Sequence, residues 1–392
     1  MKNYSLTKTA CYIGYTVQAI IINFAPILFV TFMNEFSMNV ESVAILVTVT
    51  FTVQFFVDLI AVYLIRVLSY RFLACTAHLT AGAGLVLLTV LPSVMSPTLG
   101  LVLSVIVYSI GSGLIEVVIS PIIESCPSKN KAAQMSLLHS FYCWGQVLVV
   151  LISTVFFAMR STSDWRIMSL LWSAVPFFNF FLFLFCKMNV EEQNKKSVSL
   201  RELFSSREFL LLMLIITCAG ASEIAVSQWA SAYCEKGLGV TKAMGDIAGP
   251  MSFAVFMGIA RVGYSILGER VRLERYMTLS GVLCVLGYMI ITLSPYASLG
   301  LVGFAICGLS VGILWPGAFS LAAKNVDDSG TTFALLSFAG DLGCTLGPTI
   351  AGFCAASVSD DIRFGILCSS VFPIMLTFSL VAFVLRTRWQ RK

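Results

Sequence analysis

Runs of about 20 apolar residues follow one another along the whole chain, separated by short polar stretches. A helix of that length rises about 30 Å, the thickness of a bilayer's hydrocarbon layer, so each run predicts one crossing. Twelve spans are expected. Six lie at about 9–33, 41–65, 72–91, 98–123, 132–158 and 167–187, and six more at about 209–234, 245–267, 275–294, 298–322, 330–356 and 364–386. The first run follows Lys2 and Lys8 but is too long for the apolar part of a signal peptide and lacks a small-residue cleavage site. It is expected to be retained as a span. The longest polar stretch, "KMNVEEQNKKSVSLRELFSSRE" at 187–208, falls midway. It predicts a six-helix bundle over 1–187, a cytoplasmic linker over 188–208 and a second six-helix bundle over 209–392. Within it, "SLRELFSS" (199–206) reads as a short helix on the membrane surface.

Composition narrows the class. Of 392 residues, 58% are hydrophobic and 11% charged, against about 25% charged in soluble domains. No stretch is left for a soluble domain, and no Walker motif occurs, so ATP-driven transport is excluded and any energy comes from a gradient. The net charge of +5 reflects topology. Nineteen Lys and Arg residues fall on the termini and even-numbered loops; only Arg160, Arg166, Lys236, Lys242 and Arg363 fall on the other side. The excess marks the cytoplasmic face. Both termini are expected in the cytoplasm and the protein in the cell's inner (plasma) membrane, with lipid as a partner and no nucleic acid. Twelve cysteines sit almost entirely inside the spans without any CxxC, as small packing residues do. No metal or cofactor is expected. With two histidines, no HExxH and no GxSxG, an enzyme is not expected either.

The halves look like repeats. "FVTFMNEFSMNV" (29–40) lies against "WASAYCEKGLGV" (229–240) at an offset of 200, placing Glu35 on Glu235. "SLLHSFYCWG" (136–145) lies against "ALLSFAGDLG" (334–343) at 198. Six-plus-six repeats are a design of secondary transporters, with the site near the midplane between repeats. Over its whole length the layout resembles the major facilitator superfamily. That resemblance implies an all-α membrane protein of twelve transmembrane helices in two pseudo-symmetric six-helix bundles. The loop "GIARVGYSILGERVRLER" (258–275) resembles the superfamily's gate motif, with Glu269 in the acidic place and Arg270 beside it. Its counterpart "DLIAVYLIRVLSYR" (58–71) is degenerate. Asp58 and Arg261, at the inner ends of spans 2 and 8, are expected at this gate, with local packing as the plainer alternative.

Ionisable residues inside spans carry the candidate chemistry. Glu116 stands in "SIGSGLIEVVISPIIE" (109–124), where a charge costs about 3 kcal/mol on insertion scales. Gly111 and Gly113 allow close helix approach. The stretch resembles the fucose permease branch, which carries Gly-x-Gly, a Glu and then Asn-Pro; here Ser120 replaces the Asn before Pro121. The resemblance implies that Glu116 takes part in proton-coupled sugar symport, against the alternative of a structural acid. Glu223, in "CAGASEIAVSQW", aligns with Asn23 at offset 200 and reads as a second protonatable group. Asp341 lies deep in span 11 between glycines. His139 is as far from the turn at Pro127 and Ser128 as Glu116 is, which predicts similar depth and allows a pair sharing a proton, against the alternative of a histidine satisfied by a backbone carbonyl.

Aromatics and amides suit a sugar's apolar faces and hydroxyl rim. Asn23, Ser120, Tyr142, Trp144, Gln146, Gln228, Trp229 and Trp315 are the substrate candidates, although Trp229 also lies where tryptophans anchor at interfaces. The expected function is proton-coupled symport of a sugar or similar small polar solute by a monomer. The alternative is an antiporter exporting amphipathic compounds.

Overall fold

The computed structural model describes residues 4–128, 131–188, 200–267, 271–326 and 330–389. Among these every regular element is helical, and the chain forms two compact units, Met1–Glu192 and Gln193–Lys392. Eleven stretches among the described residues are long and apolar enough to cross a membrane.

The first unit holds α1 (Ser5–Ile27), α2 (Phe29–Glu35), α3 (Val40–Val67), α4 (Tyr70–Val94), α5 (Pro97–Ser125), α6 (Lys131–Met159) and α7 (Trp165–Phe185). The expected first span is thus two helices. Pro26 has no N–H, and at Leu28 the backbone bond steps back only to Ala25 O, at 2.9 Å, before α2 resumes. Side-chain caps set other starts: Asn39 accepts from the Ser42 amide ahead of α3, and Ser69 from Phe72 ahead of α4. α1 packs against α5, α6 and α7, while α5 packs against α3 and α4.

One polar brace crosses this apolar interior. His78 is fully buried; its Nδ1 faces Ala74 O at 2.7 Å and its Nε2 faces Asn179 Nδ2, also at 2.7 Å. Asn179 donates its other amide hydrogen to Ala10 O at 3.0 Å. The arrangement suits a neutral ring protonated on Nδ1, tying α1, α4 and α7 together.

The second unit begins with α8 (Leu200–Ser205) and α9 (Arg207–Ala232), the latter prolonged by a π turn at Tyr233–Gly237. Next come α10 (Lys242–Asp246), a second π turn at Ile247–Met251, α11 (Ser252–Leu267), α12 (Leu273–Leu293), α13 (Ala297–Val311) and α14 (Leu314–Asn325). It ends with α15 (Gly330–Ser357), α16 (Ile362–Ser369) and α17 (Val371–Trp389). The expected spans 10 and 12 are each broken, at Gly312–Ile313 and at Ser370, because Pro316 and Pro373 cannot donate back four residues. α15, in the place of the expected eleventh span, is not among the eleven crossing stretches. It lies along α9 so closely that a Cβ at Gly343 would stand 1.9 Å from Thr217 O. Glu269 and Arg270 lie outside the described residues. None of the twelve cysteines forms a disulfide, and ten of them are buried.

Candidate functional site

In the first unit the acid at the centre of α5 is given room and partners by three neighbouring helices. A Cβ at Gly111 would lie 2.5 Å from Ala77 O of α4, and one at Gly113 would lie 2.9 Å from Val57 of α3. Glycine at both places lets α5 sit against two backbones at once. Val57 precedes Asp58, and the carboxylate oxygens of Asp58 and Glu116 come within 4.8 Å of each other. Asp58, expected at the gate, is therefore a neighbour of Glu116. Gln18 of α1 donates its Nε2 hydrogen to Glu116 Oε2 at 2.9 Å. One turn further along each helix, Tyr15 Oη and Ser120 Oγ are hydrogen-bonded at 3.1 Å. His139 of α6 presents its ring edge-on to Tyr15, centroids 5.1 Å apart. It thus reaches the neighbourhood of Glu116 by way of Tyr15.

The remaining first-unit candidates differ in character. Asn23 is buried and donates to Ala19 O of its own helix at 3.0 Å. Gln146 is buried with its Nε2 unpartnered among the described residues, an unusual cost for an amide. Tyr142 is half-buried, and Trp144 is 43% exposed.

The second unit groups its own candidates. Glu223 of α9 is half-buried and lies in the field of Arg261 on α11. Arg261 donates its Nε hydrogen to Gly312 O at 3.2 Å, the carbonyl that Pro316 leaves without its helical donor. Arg261, expected at the gate, thus braces the break between α13 and α14. Trp315, on α14, covers the glycines of α9 and α15: a Cβ at Gly340 would stand 2.2 Å from its ring, and one at Gly220 3.2 Å. Asp341 follows Gly340 and is buried. Gln228 is buried, and Trp229 is fully buried with its indole N–H donating to Pro348 O at 3.0 Å. Expected as a sugar platform or interface anchor, Trp229 is a packing residue in this structure.

Two further features escaped the sequence reading. Gln18 and Tyr15, three residues apart on one helix face, are first-unit partners of Glu116 and Ser120; the spacing was visible but their destination was not. In the second unit, Asp246 is fully buried and accepts from Lys242 Nζ at 2.7 and 2.8 Å and from the Ser231 hydroxyl.

A chain of membrane-crossing helices in two units, with carboxyl groups held among them, has the build of a secondary transporter. The Major Facilitator Superfamily model matches residues 11–348 and 252–391, and the chain belongs to that superfamily of membrane transporters. No curated protein sequence matches it. Among solved structures, the nucleoside transporter NupG is similar at a TM-score of 0.73 and 12% identity, covering 98% of this chain and 99% of that one. The E. coli fucose:proton symporter FucP is similar at 0.67 and 15% identity, over 97% and 99%. A bacterial homolog of the human lysosomal transporter Spinster, inward-facing and occupied, is similar at 0.76 and 13% identity, over 99% and 98%.

Proposed function

We propose that this protein is a twelve-span, proton-coupled symporter for a small polar solute, a sugar or a sugar-bearing compound, working by alternating access. The observation that carries the reading is the carboxyl pair of Asp58 and Glu116, within 4.8 Å, with Gln18 donating to Glu116. Two carboxylates at that distance repel strongly outside bulk water. One proton between them removes the repulsion and leaves Gln18 an acceptor, so a single proton changes the local charge without rebuilding the site. Glu223, facing the field of Arg261, is the second candidate carrier.

In this mechanism the pair takes up a proton while access is from outside. Solute then binds among the amides and aromatics, and proton and solute leave to the cytoplasm after the switch. Neutralising the acid matters because closing apolar walls around a bare carboxylate is costly. The charge bias supports cytoplasmic termini. Fucose:proton symport and nucleoside transport by similar folds support a polar solute. The second reading, proton-driven export of amphipathic compounds, draws on the exposed, aromatic Trp144.

The test is internal pH in proteoliposomes, with monosaccharides and nucleosides supplied outside in turn. Symport is expected to acidify the lumen with one solute class. No acidification with any of them, together with gradient-driven extrusion of amphipathic dyes, would replace symport by export.

A further inference from the structure

Five cations lie on the side that the charge bias leaves sparse, and two of them occupy matching places in the two units. Arg166 is the second residue of α7 and Arg363 the second residue of α16, an offset of 197 against the 198 and 200 of the repeat. Each grips the end of its own unit's first span.

The grips differ in chemistry. Arg166 pairs with Glu35 Oε1 at 2.7 Å, and the Trp165 indole donates to Glu35 Oε2 at 2.6 Å. The guanidinium lies 4.4 Å from the centre of the Trp165 ring and 5.9 Å from that of Phe36. Both oxygens of Glu35 are therefore held, through a charge pair whose two side chains remain 31% and 32% exposed. Glu35 is the last residue of α2, the seven-residue helix that the break at Leu28 separates from α1. In the second unit Arg363 donates instead to the Tyr233 hydroxyl at 3.2 Å and to Ser294 O at 3.0 Å. Tyr233 in turn donates to Ile291 O at 2.7 Å and is fully buried. There the acceptors are neutral, and the backbone runs on from α9 without a break. Glu235, the repeat mate of Glu35, lies in the field of Lys242 and Asp246.

We infer that α2 is a hinged strap, bending at Leu28 and latched by Glu35 to Trp165 and Arg166, whereas the matching end of the second unit is fixed. A charge latch reachable by water weakens as salt screens it; a buried phenol that donates to the Ile291 carbonyl and accepts from Arg363, with no opposite charge paired, weakens far less. The purpose of the strap, opening and closing the non-cytoplasmic end during transport, rests on the transporter reading above. The device itself does not.

The test is hydrogen exchange of the full chain in nanodiscs at low and high salt. In Glu35→Gln, exchange over 29–36 is expected to rise about tenfold while 233–240 keeps its rate, as for a local opening. High salt is expected to move wild-type 29–36 in the same direction. Arg166→Glu is expected to match Glu35→Gln, and the reversed pair Glu35→Arg with Arg166→Glu to restore protection. Unchanged exchange over 29–36 in both single variants, or an equal salt response over 233–240, overturns the inference. So does a uniform rise across the first unit, which would mean general loosening. No solute is needed, so a failed latch and a failed transport assay are separate results.

Discussion

Glu116→Gln is the substitution whose sign says most. With both acids ionised within 4.8 Å, their repulsion at an effective dielectric of about 20 is at least about 3.5 kcal/mol. Replacing the carboxylate by an amide removes that term. It also turns the charge-assisted bond from Gln18 into a neutral one, a loss of about 1 kcal/mol. The difference favours the variant by at least about 2.5 kcal/mol while both acids are ionised. Thermal unfolding followed by tryptophan fluorescence is expected to show a midpoint raised by a few degrees. The same variant is expected to keep solute exchange and lose proton movement in proteoliposomes, trading function for stability. A lowered midpoint with coupling intact would refute the reasoning, because Glu116 would then be a structural acceptor for Gln18.

Two other outcomes are expected. Asp246→Ala leaves Lys242, 17% exposed, without its counter-charge and is expected to cost about 3 kcal/mol in thermal or denaturant unfolding; replacing both by apolar residues of similar volume recovers most of it. Gly113→Ala puts a methyl 2.9 Å from Val57 and is expected to cost about 1–3 kcal/mol while pushing α3 from α5; wild-type stability in that variant would mean α3 yields freely.

Eleven crossing stretches among the described residues were legible because crossing a bilayer imposes a length and an apolarity that any sequence must display. The breaks at Leu28, Gly312–Ile313 and Ser370 each involve a nearby proline, so they too were written in the chain, though hydropathy averaged over a span passes across them. Glu116 was legible as an acid out of place. Its partners were not: Gln18 is 98 residues away, and only the fold brings the two together. Linear depth alone points Asp58 to a gate; the contact that Gly113 permits with Val57 brings it to Glu116. Trp229 runs the other way. Its position near a span end suggested an anchor, but a carbonyl on α15 takes its N–H and the ring is wholly enclosed. His78, assigned nothing, braces three helices, because a histidine's role depends on what faces its two nitrogens.

The cysteines have a practical consequence. Ten of the twelve are buried and only Cys354 and Cys368 are partly accessible, both in the second unit. A label must reach the sulfur to react, and the buried cysteines are closed off from it. The natural protein is therefore almost silent to a polar maleimide, and replacing those two residues gives a chemically dark background. A single cysteine placed at Met33 of α2, only 4% exposed while the strap is latched, would then report opening of the strap as a labelling event, in membranes and without purification.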